Sequence, residues 1–196
     1  SSTCVDKAGN SLSATHGGIS VDLTPPSLAP TVSPSPVLLR GNATASANAT
    51  DALSGVATQS CAPVATSSVG AQSVTCTASD KAGNAATSTA PYTVAYAQKL
   101  LYNTTAAIKS GTTLAVTLQL QDAVAVNVSS ANIAVTAVDV VNSGGAVVQA
   151  VNAPFSFAKG QYTYKLDTAG LAPGTYSLRF TAGSDSTTHL APFVIK

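Results

Sequence analysis

The second half of the chain alternates between apolar and polar positions. Leu114, Val116, Leu118 and Leu120 are separated by small or polar residues, as are Tyr176, Leu178 and Phe180; Tyr162, Tyr164 and Leu166 repeat the spacing, and Phe193 and Ile195 close it. Successive side chains of a strand point to opposite faces, so a period of two predicts strands with one buried face. Turn residues divide these runs at Lys109-Ser110-Gly111, Asn142-Ser143-Gly144-Gly145, Ala172-Pro173-Gly174 and Gly183-Ser184-Asp185. Residues 98–196 are therefore expected to form a sandwich of seven or eight antiparallel strands.

The first half predicts shorter strands near 42–49, 56–61, 71–79 and 86–95, with turns at Asp51 to Gly55 and Ser67 to Gly70. Pro30, Pro34 and Pro36 keep the segment that contains them extended and edge-like. Asp22-Leu23-Thr24-Pro25-Pro26 cannot continue a ladder, because proline lacks the N–H donor, and reads as a boundary. Ahead of it, residues 1–22 read as two strands joined by the Lys7-Ala8-Gly9-Asn10 turn, with Gly17-Gly18 loosening the second before Ile19 and Val21. The expected division is 1–24 as a hairpin with a proline linker, 25–97 as one domain and 98–196 as another.

Asp-Lys-Ala-Gly-Asn occurs twice, at Asp6 to Asn10 and Asp80 to Asn84, each time shortly after a Thr-Cys pair, Thr3-Cys4 and Thr75-Cys76. The second copy closes a complete-looking domain. The first is expected to be the last hairpin of a domain whose body is missing, either because the chain is cut from a longer tandem or because residues 1–22 are an extension that packs on a neighbouring subunit. Cys4 precedes Asp6 by two positions and Cys76 precedes Asp80 by four, an even difference, so Cys4 is expected to face a core as Cys76 does. An isolated hairpin is marginal in water, so an ordered one must be docked.

Composition narrows the function. Of 196 residues only 9% are charged and the net charge is +1, so no field favours nucleic acid or an anionic membrane. No apolar run approaches the roughly 18 residues that span a bilayer, and the first residues lack the basic and apolar regions of an export signal, which is expected to have been removed already. Hydrophobic content is 45%, mostly Ala and Val mixed with Ser and Thr, without Trp, Met or Glu; that mixture suits thin β-sandwiches. Cys61 and Cys76 lie close together in one domain; a disulfide between them would imply an oxidising compartment, and the alternative is two buried thiols. Cys4 is left unpaired or intermolecular.

Catalytic constellations are absent: no Gly-x-Ser-x-Gly elbow occurs, His16 and His189 fall in different domains as expected exposed residues, and the eight Asp are scattered among turns. Asp22, Asp51 and Asp80 could converge as oxygen ligands for Ca²⁺, but no compact ligand motif is present, and neither metal nor cofactor is expected. Asn42, Asn48, Asn103 and Asn127 head Asn-x-Ser/Thr sequons and are candidate glycan acceptors. Asn42 and Asn48, six apart on one expected strand, should share a face.

Residues 22–96, from Asp22-Leu23-Thr24-Pro25-Pro26 through Asp51-Ala52-Leu53-Ser54-Gly55-Val56 to Val74-Thr75-Cys76 and Asp80 to Asn84, resemble the tandem immunoglobulin-like repeats of bacterial surface proteins, particularly the hyalin-repeat (HYR) type. Residues 98–196 resemble the PxKF-type domain that often ends such tandems, through Ile108 to Thr112, Gly174 to Leu178 and Thr187-Thr188-His189; the Pro-x-Lys-Phe signature itself is replaced by Leu114 to Leu118. The resemblance implies two immunoglobulin-like β-sandwiches in an extracellular stalk, adhesin or fibre.

Together these features favour an extracellular structural subunit, not an enzyme, that self-associates head to tail into a homopolymer. Its hairpin would add to a neighbour's sheet edge, with Cys4, Val5, Leu12, Ile19 and Val21 setting register. The alternative is a stalk or adhesion module that grips glycans through Tyr102, Tyr162, Tyr164 or Tyr176, although aromatic residues alternating on strands usually face inward.

Overall fold

The computed structural model describes residues 2–14 and 21–196, and every regular element among them is a strand. β1 (Ser2–Val5) and β2 (Ser11–Ala14) form a two-stranded ladder with Cys4 opposite Leu12. Ile19, His16 and the Gly17-Gly18 pair lie outside the described residues.

The next strands are β3 (Ser27–Leu28), β4 (Thr31–Ser33), β5 (Val37–Leu38), β6 (Thr44–Ser46), β7 (Ala49–Thr50), β8 (Val56–Cys61), β9 (Gly70–Asp80) and β10 (Ala85–Ala95). One sheet has the order β5-β10-β9-β8, and the ribbons β3-β7 and β4-β6 pack over it. Val74, Cys76 and Ala78 of β9 are buried while Thr75 and Thr77 between them are exposed, the period of two realised in packing. Tyr92 is the buried ring of this core, beside Val37, Leu39, Val74 and Val94, with the partly buried Tyr96 packed against them. Cys61 and Cys76 stand opposite each other on β8 and β9 and are disulfide-bonded. Closing a loop of this separation, 15 residues, stabilises by about 3 kcal/mol in the chain-entropy account, which matters for a core so thin.

β11 (Ala97–Leu100), β12 (Ala107–Ile108), β13 (Thr113–Gln121), β14 (Val135–Asn142), β15 (Val147–Pro154), β16 (Ser156–Ala158), β17 (Gln161–Asp167), β18 (Gly174–Ala182) and β19 (Asp185–Ile195) follow. Their two sheets have the orders β11-β13-β17-β16 and β12-β19-β18-β14-β15. The alternating residues of β13, Val116, Leu118 and Leu120, are fully buried against Leu166, Leu178 and Phe180. Phe155 joins this core with its ring 5.4 Å from Tyr164 and 5.7 Å from Phe180. In both units an entering strand pairs first in one layer and then switches to the other, where β5 runs parallel to β10 and β12 parallel to β19. The arrangement is immunoglobulin-like and all-β.

The expected strand over 42–49 is broken. Asn48 takes a left-handed φ of 47°, Ala47 beside it is buried, and β6 pairs with β4 whereas β7 pairs with β3. The Asn48 side chain braces the break: its Nδ2 donates to Ala29 O at 3.0 Å and to Thr31 Oγ1 at 3.1 Å, and its Oδ1 accepts from the Ser46 hydroxyl. Asn tolerates this backbone region better than most residues, which is why the kink falls there.

Phe180→Ala is expected to lower the unfolding free energy by about 3–5 kcal/mol, read as a fall in denaturant midpoint; a cost below about 1 kcal/mol would mean that the ring is not packed as described.

Candidate functional site: a hairpin motif and the junctions it serves

Both Asp-Lys-Ala-Gly-Asn copies fold into one turn. Asp6 Oδ1 accepts the N–H groups of Ala8 and Asn10 at 2.9 Å each, and Asn10 Nδ2 donates to Asp6 Oδ2 at 2.8 Å. Asp80 Oδ1 accepts from Asn84 N at 2.8 Å, and Asn84 Nδ2 donates to Asp80 Oδ2 at 2.7 Å. Gly9 and Gly83 occupy positive φ, 86° and 96°, a region that glycine enters without steric cost. The bond from Asn10 holds the Asp6 carboxyl below its ordinary value. At Asp80, burial acts upward, and the bonds from Asn84 outweigh it to leave the carboxyl lowered.

The surroundings of the copies differ. Asp80 is buried; Asp6 is exposed, and so are Val5 at 65% and Leu12 at 77%. Asn84 Nδ2 also donates to Asp22 O at 3.1 Å, and Lys81 N–H donates to Gly55 O at 3.0 Å, so this tip ties the linker and the 51–55 turn together. Cys4 is exposed rather than facing a core. Counted back from the aspartate it matches Ala78, which is buried, and no second layer covers the hairpin among the described residues. Val21, also assigned to register, is 69% exposed beside the linker.

Asp22, Asp51 and Asp80, distant in sequence, do converge: one carboxylate oxygen from each lies within 4.8 Å of the others. They are the residues that could hold a hard cation. Backbone donors already engage them, with Thr24 N and Ser54 N on the two oxygens of Asp22 and Gly55 N on Asp51 Oδ1 at 2.6 Å. The cluster ties three chain segments at the entrance to the first sandwich.

Two further hairpins use the same closure. Asp122 Oδ1 accepts from Val124 N and Val126 N, and Asn142 Oδ1 accepts from Gly144 N and Ala146 N. The Asp122 turn escapes a sequence reading because Ala125, at φ 62°, stands where a glycine is expected. It meets the first sandwich: Arg40 pairs with Asp122 at 3.2 Å, and Ala123 N–H donates to Leu39 O at 2.9 Å.

His189 also departs from expectation, being buried rather than exposed. Its ring stacks on Phe180 with centroids 5.1 Å apart, and Nε2 lies 3.0 Å from Asp185 Oδ2. Asp185 also accepts Tyr96 N–H at 2.8 Å and the Thr187 hydroxyl at 2.6 Å. Hydroxyl, imidazole and carboxylate are thus together, with the Thr187 hydroxyl donating to Asp185 and lying 3.4 Å from His189 Nε2. Burial pushes the Asp185 carboxyl up, and the bonds from Thr187, Tyr96 and His189 outweigh it, leaving the carboxyl below its ordinary value. The group braces the junction, where Tyr96 packs on both cores. Gly70 completes that contact: a Cβ there would lie 3.0 Å from Ser184 O.

The four tyrosines offer no glycan platform. Tyr162 and Tyr176 are buried, Tyr102 and Tyr164 half-buried, and the hydroxyls of Tyr102, Tyr162 and Tyr176 donate to the carbonyls of Pro192, Ser130 and Ala172. All four sequon asparagines are exposed. Asn48 commits both Nδ2 donors and Asn127 donates to Gly160 O, whereas no bond from Nδ2 of Asn42 or Asn103 is present among the described residues. Because the strand breaks at Asn48, Asn42 and Asn48 do not share one strand face.

Residues 120–196 match the family model of a secretion system C-terminal sorting domain. No curated protein matches the chain. Among solved structures, a three-Ig structure of titin domains, an E-to-A mutated variant, is 15% identical, with 64% of this chain and 41% of that chain covered and a TM-score of 0.28. Domains 4 and 5 of the S-layer protein SbsC are 16% identical, covering 98% of this chain and 78% of that one, TM-score 0.27. The chain thus spans less than half the length of the titin structure. Among the described residues no helix is long and apolar enough to cross a membrane.

A carboxyl whose pKa is depressed by folding stabilises the fold above the ordinary carboxylate range, and that contribution is lost as pH falls through the lowered value. Asp185→Asn should therefore be less stable at neutral pH and lose less stability between about pH 5 and pH 2 than the wild type; parallel acid-unfolding curves would rule this out. In a host that glycosylates Asn-x-Ser/Thr, peptide mapping should find the highest occupancy at Asn42 and Asn103 and the lowest at Asn48; full occupancy at Asn48 would mean that its brace opens.

Proposed function

We propose that the chain is a structural module of a secreted or cell-surface protein, with sandwich domains over 25–97 and 98–196, that assembles head to tail into a filament through its 1–24 hairpin. The observation that carries this reading is the contrast between two hairpins closed by the same pentapeptide, one buried in contacts at Asp80 and one with Val5 and Leu12 exposed. A two-stranded ribbon whose edges have no strand partner among the described residues, with apolar side chains exposed, has the chemistry of a strand donor. The match of residues 120–196 to a secretion sorting domain supports export, and the disulfide fits an oxidising compartment. A head-to-tail contact is heterologous, so it propagates as a filament unless the rotation closes. Glycans on the exposed sequons would face solvent.

A stalk within a longer covalent tandem is the second reading, favoured by the repeated pentapeptide itself, since repeated modules carry repeated turns. Light scattering on a size-exclusion column separates the two. Wild-type chains should form species that grow with concentration, and chains lacking residues 1–22 should run as folded monomers. Polymers that survive the deletion would sink the filament reading.

A further inference from the structure

The two large sheets are built to the same plan up to their last position. In the second sandwich the order is β12-β19-β18-β14-β15, and in the first it is β5-β10-β9-β8, with the leading strand parallel and the next pairs antiparallel in each. β15 therefore lies where a fifth strand would lie beside β8. The chain cannot fold back to supply it: β14 ends in the Asn142 turn, whereas β8 ends at Cys61-Ala62-Pro63 and departs.

The free edges are also guarded differently. β15 carries Asn152 at φ 48°, ends on Pro154 and has register shifts against β14, devices that blunt an edge. β8 has no charge and no proline over Val56–Cys61, and its one shift lies at its start, between Val56 and Thr58. Ala62 N–H donates to Thr75 O. By alternation, Ser60 and Thr58 also face β9, and Gln59 and Cys61 direct their N–H and C=O groups outward.

Resting on the filament reading above, we propose that the outer edge of β8 is the acceptor and that its occupant is β1 of a second copy of this chain, added antiparallel as β15 is to β14. β1 has the matching chemistry. It leads into the same pentapeptide turn as β9, and Thr3 and Val5 stand where Thr77 and Ser79 pair with Ser60 and Thr58. Asp6 N–H bonds inward to Asn10 O, so Thr3 and Val5 direct their backbone groups outward, ready for those of Gln59 and Cys61. Neither β1 nor β8 carries a charge to oppose pairing. Within one chain β1 pairs only with β2 and β8 only with β9 among the described residues, so each keeps a free edge.

The pairing fixes where Cys4 goes. With Thr3 hydrogen-bonded to Cys61 and Val5 to Gln59, Cys4 falls in the close, non-hydrogen-bonded position opposite Ser60, and with Thr3 on Gln59 it falls opposite Thr58, in each case on their face. Cys61 and Cys76 occupy that kind of position on β8 and β9.

The test places one new thiol in the full-length chain, as Thr58→Cys, Ser60→Cys or Gln59→Cys, under mild oxidation. Thr58 and Ser60 are exposed, so their substitution leaves the core disulfide alone. One of these two variants should give a ladder beyond dimer on a non-reducing gel, with mass spectrometry joining Cys4 to the introduced thiol. Gln59→Cys, on the opposite face, should give at least tenfold less, and Cys4 to Cys4 links alone stop at dimer. Polymers that depend on residues 1–22 but never crosslink at 58 or 60 overturn this acceptor and leave the hairpin reading standing. Polymers that survive the deletion overturn both, and a crosslink confined to single chains of 19.3 kDa overturns the second copy as occupant.

Discussion

One five-residue closure organises the molecule: an Asp or Asn whose side-chain oxygen accepts backbone N–H groups ahead of it, whose own N–H donates to the C=O four places on and whose C=O accepts the N–H three places on. It recurs at Asp6, Asp80, Asp122 and Asn142. In a sheet protein with few charges and many small side chains, register is weakly specified by packing alone, because a slip of one residue merely exchanges Ala and Val for Ser and Thr. The closure removes that freedom at the tip of each hairpin. It also lines up donors beyond the tip, so the Asp80 turn grips the linker and the Asp122 turn grips the other sandwich.

The two cores solve one problem with different means. The second fills its interior with Phe155, Phe180, Phe193 and Tyr162, while the first relies on Val, Leu and Ala around Tyr92 and adds a covalent tie. Small units bury too little surface to be comfortably stable, which is where a disulfide has the greatest effect. Neither is isolated, because Tyr96 and Val128 pack on both cores and Asp185 takes the Tyr96 N–H.

Much of this was legible in the sequence. Period-two runs located β13, β17, β18 and the end of β19, since burial of one face leaves that trace directly, and the strands expected near 71–79 and 86–95 are β9 and β10. The kink at Asn48 was not legible, because the residues on either side alternate as a strand would and only tertiary bonds to Ala29 and Thr31 favour the left-handed turn. His189 looked exposed among Thr residues, yet Asp185 four positions earlier folds beneath it across the end of the hairpin. The convergence of Asp22, Asp51 and Asp80 was anticipated from their places at the domain junction and in loops, and the path of the linker brings it about.

The short parallel strands bear on how the chain would answer a pull on its ends. β5 enters the first large sheet alongside β10, the strand by which the chain leaves, and β12 does the same with β19. Leu39 N–H on Ala95 O and Lys196 N–H on Ile108 O extend those ladders by one bond each. Tension applied along the chain pulls two parallel partners in opposite directions, so the bonds between them are strained together in shear instead of opening one after another. In each sandwich the parallel ladder lies behind the first antiparallel pairing, β3 with β7 or β11 with β13, as a second point of resistance.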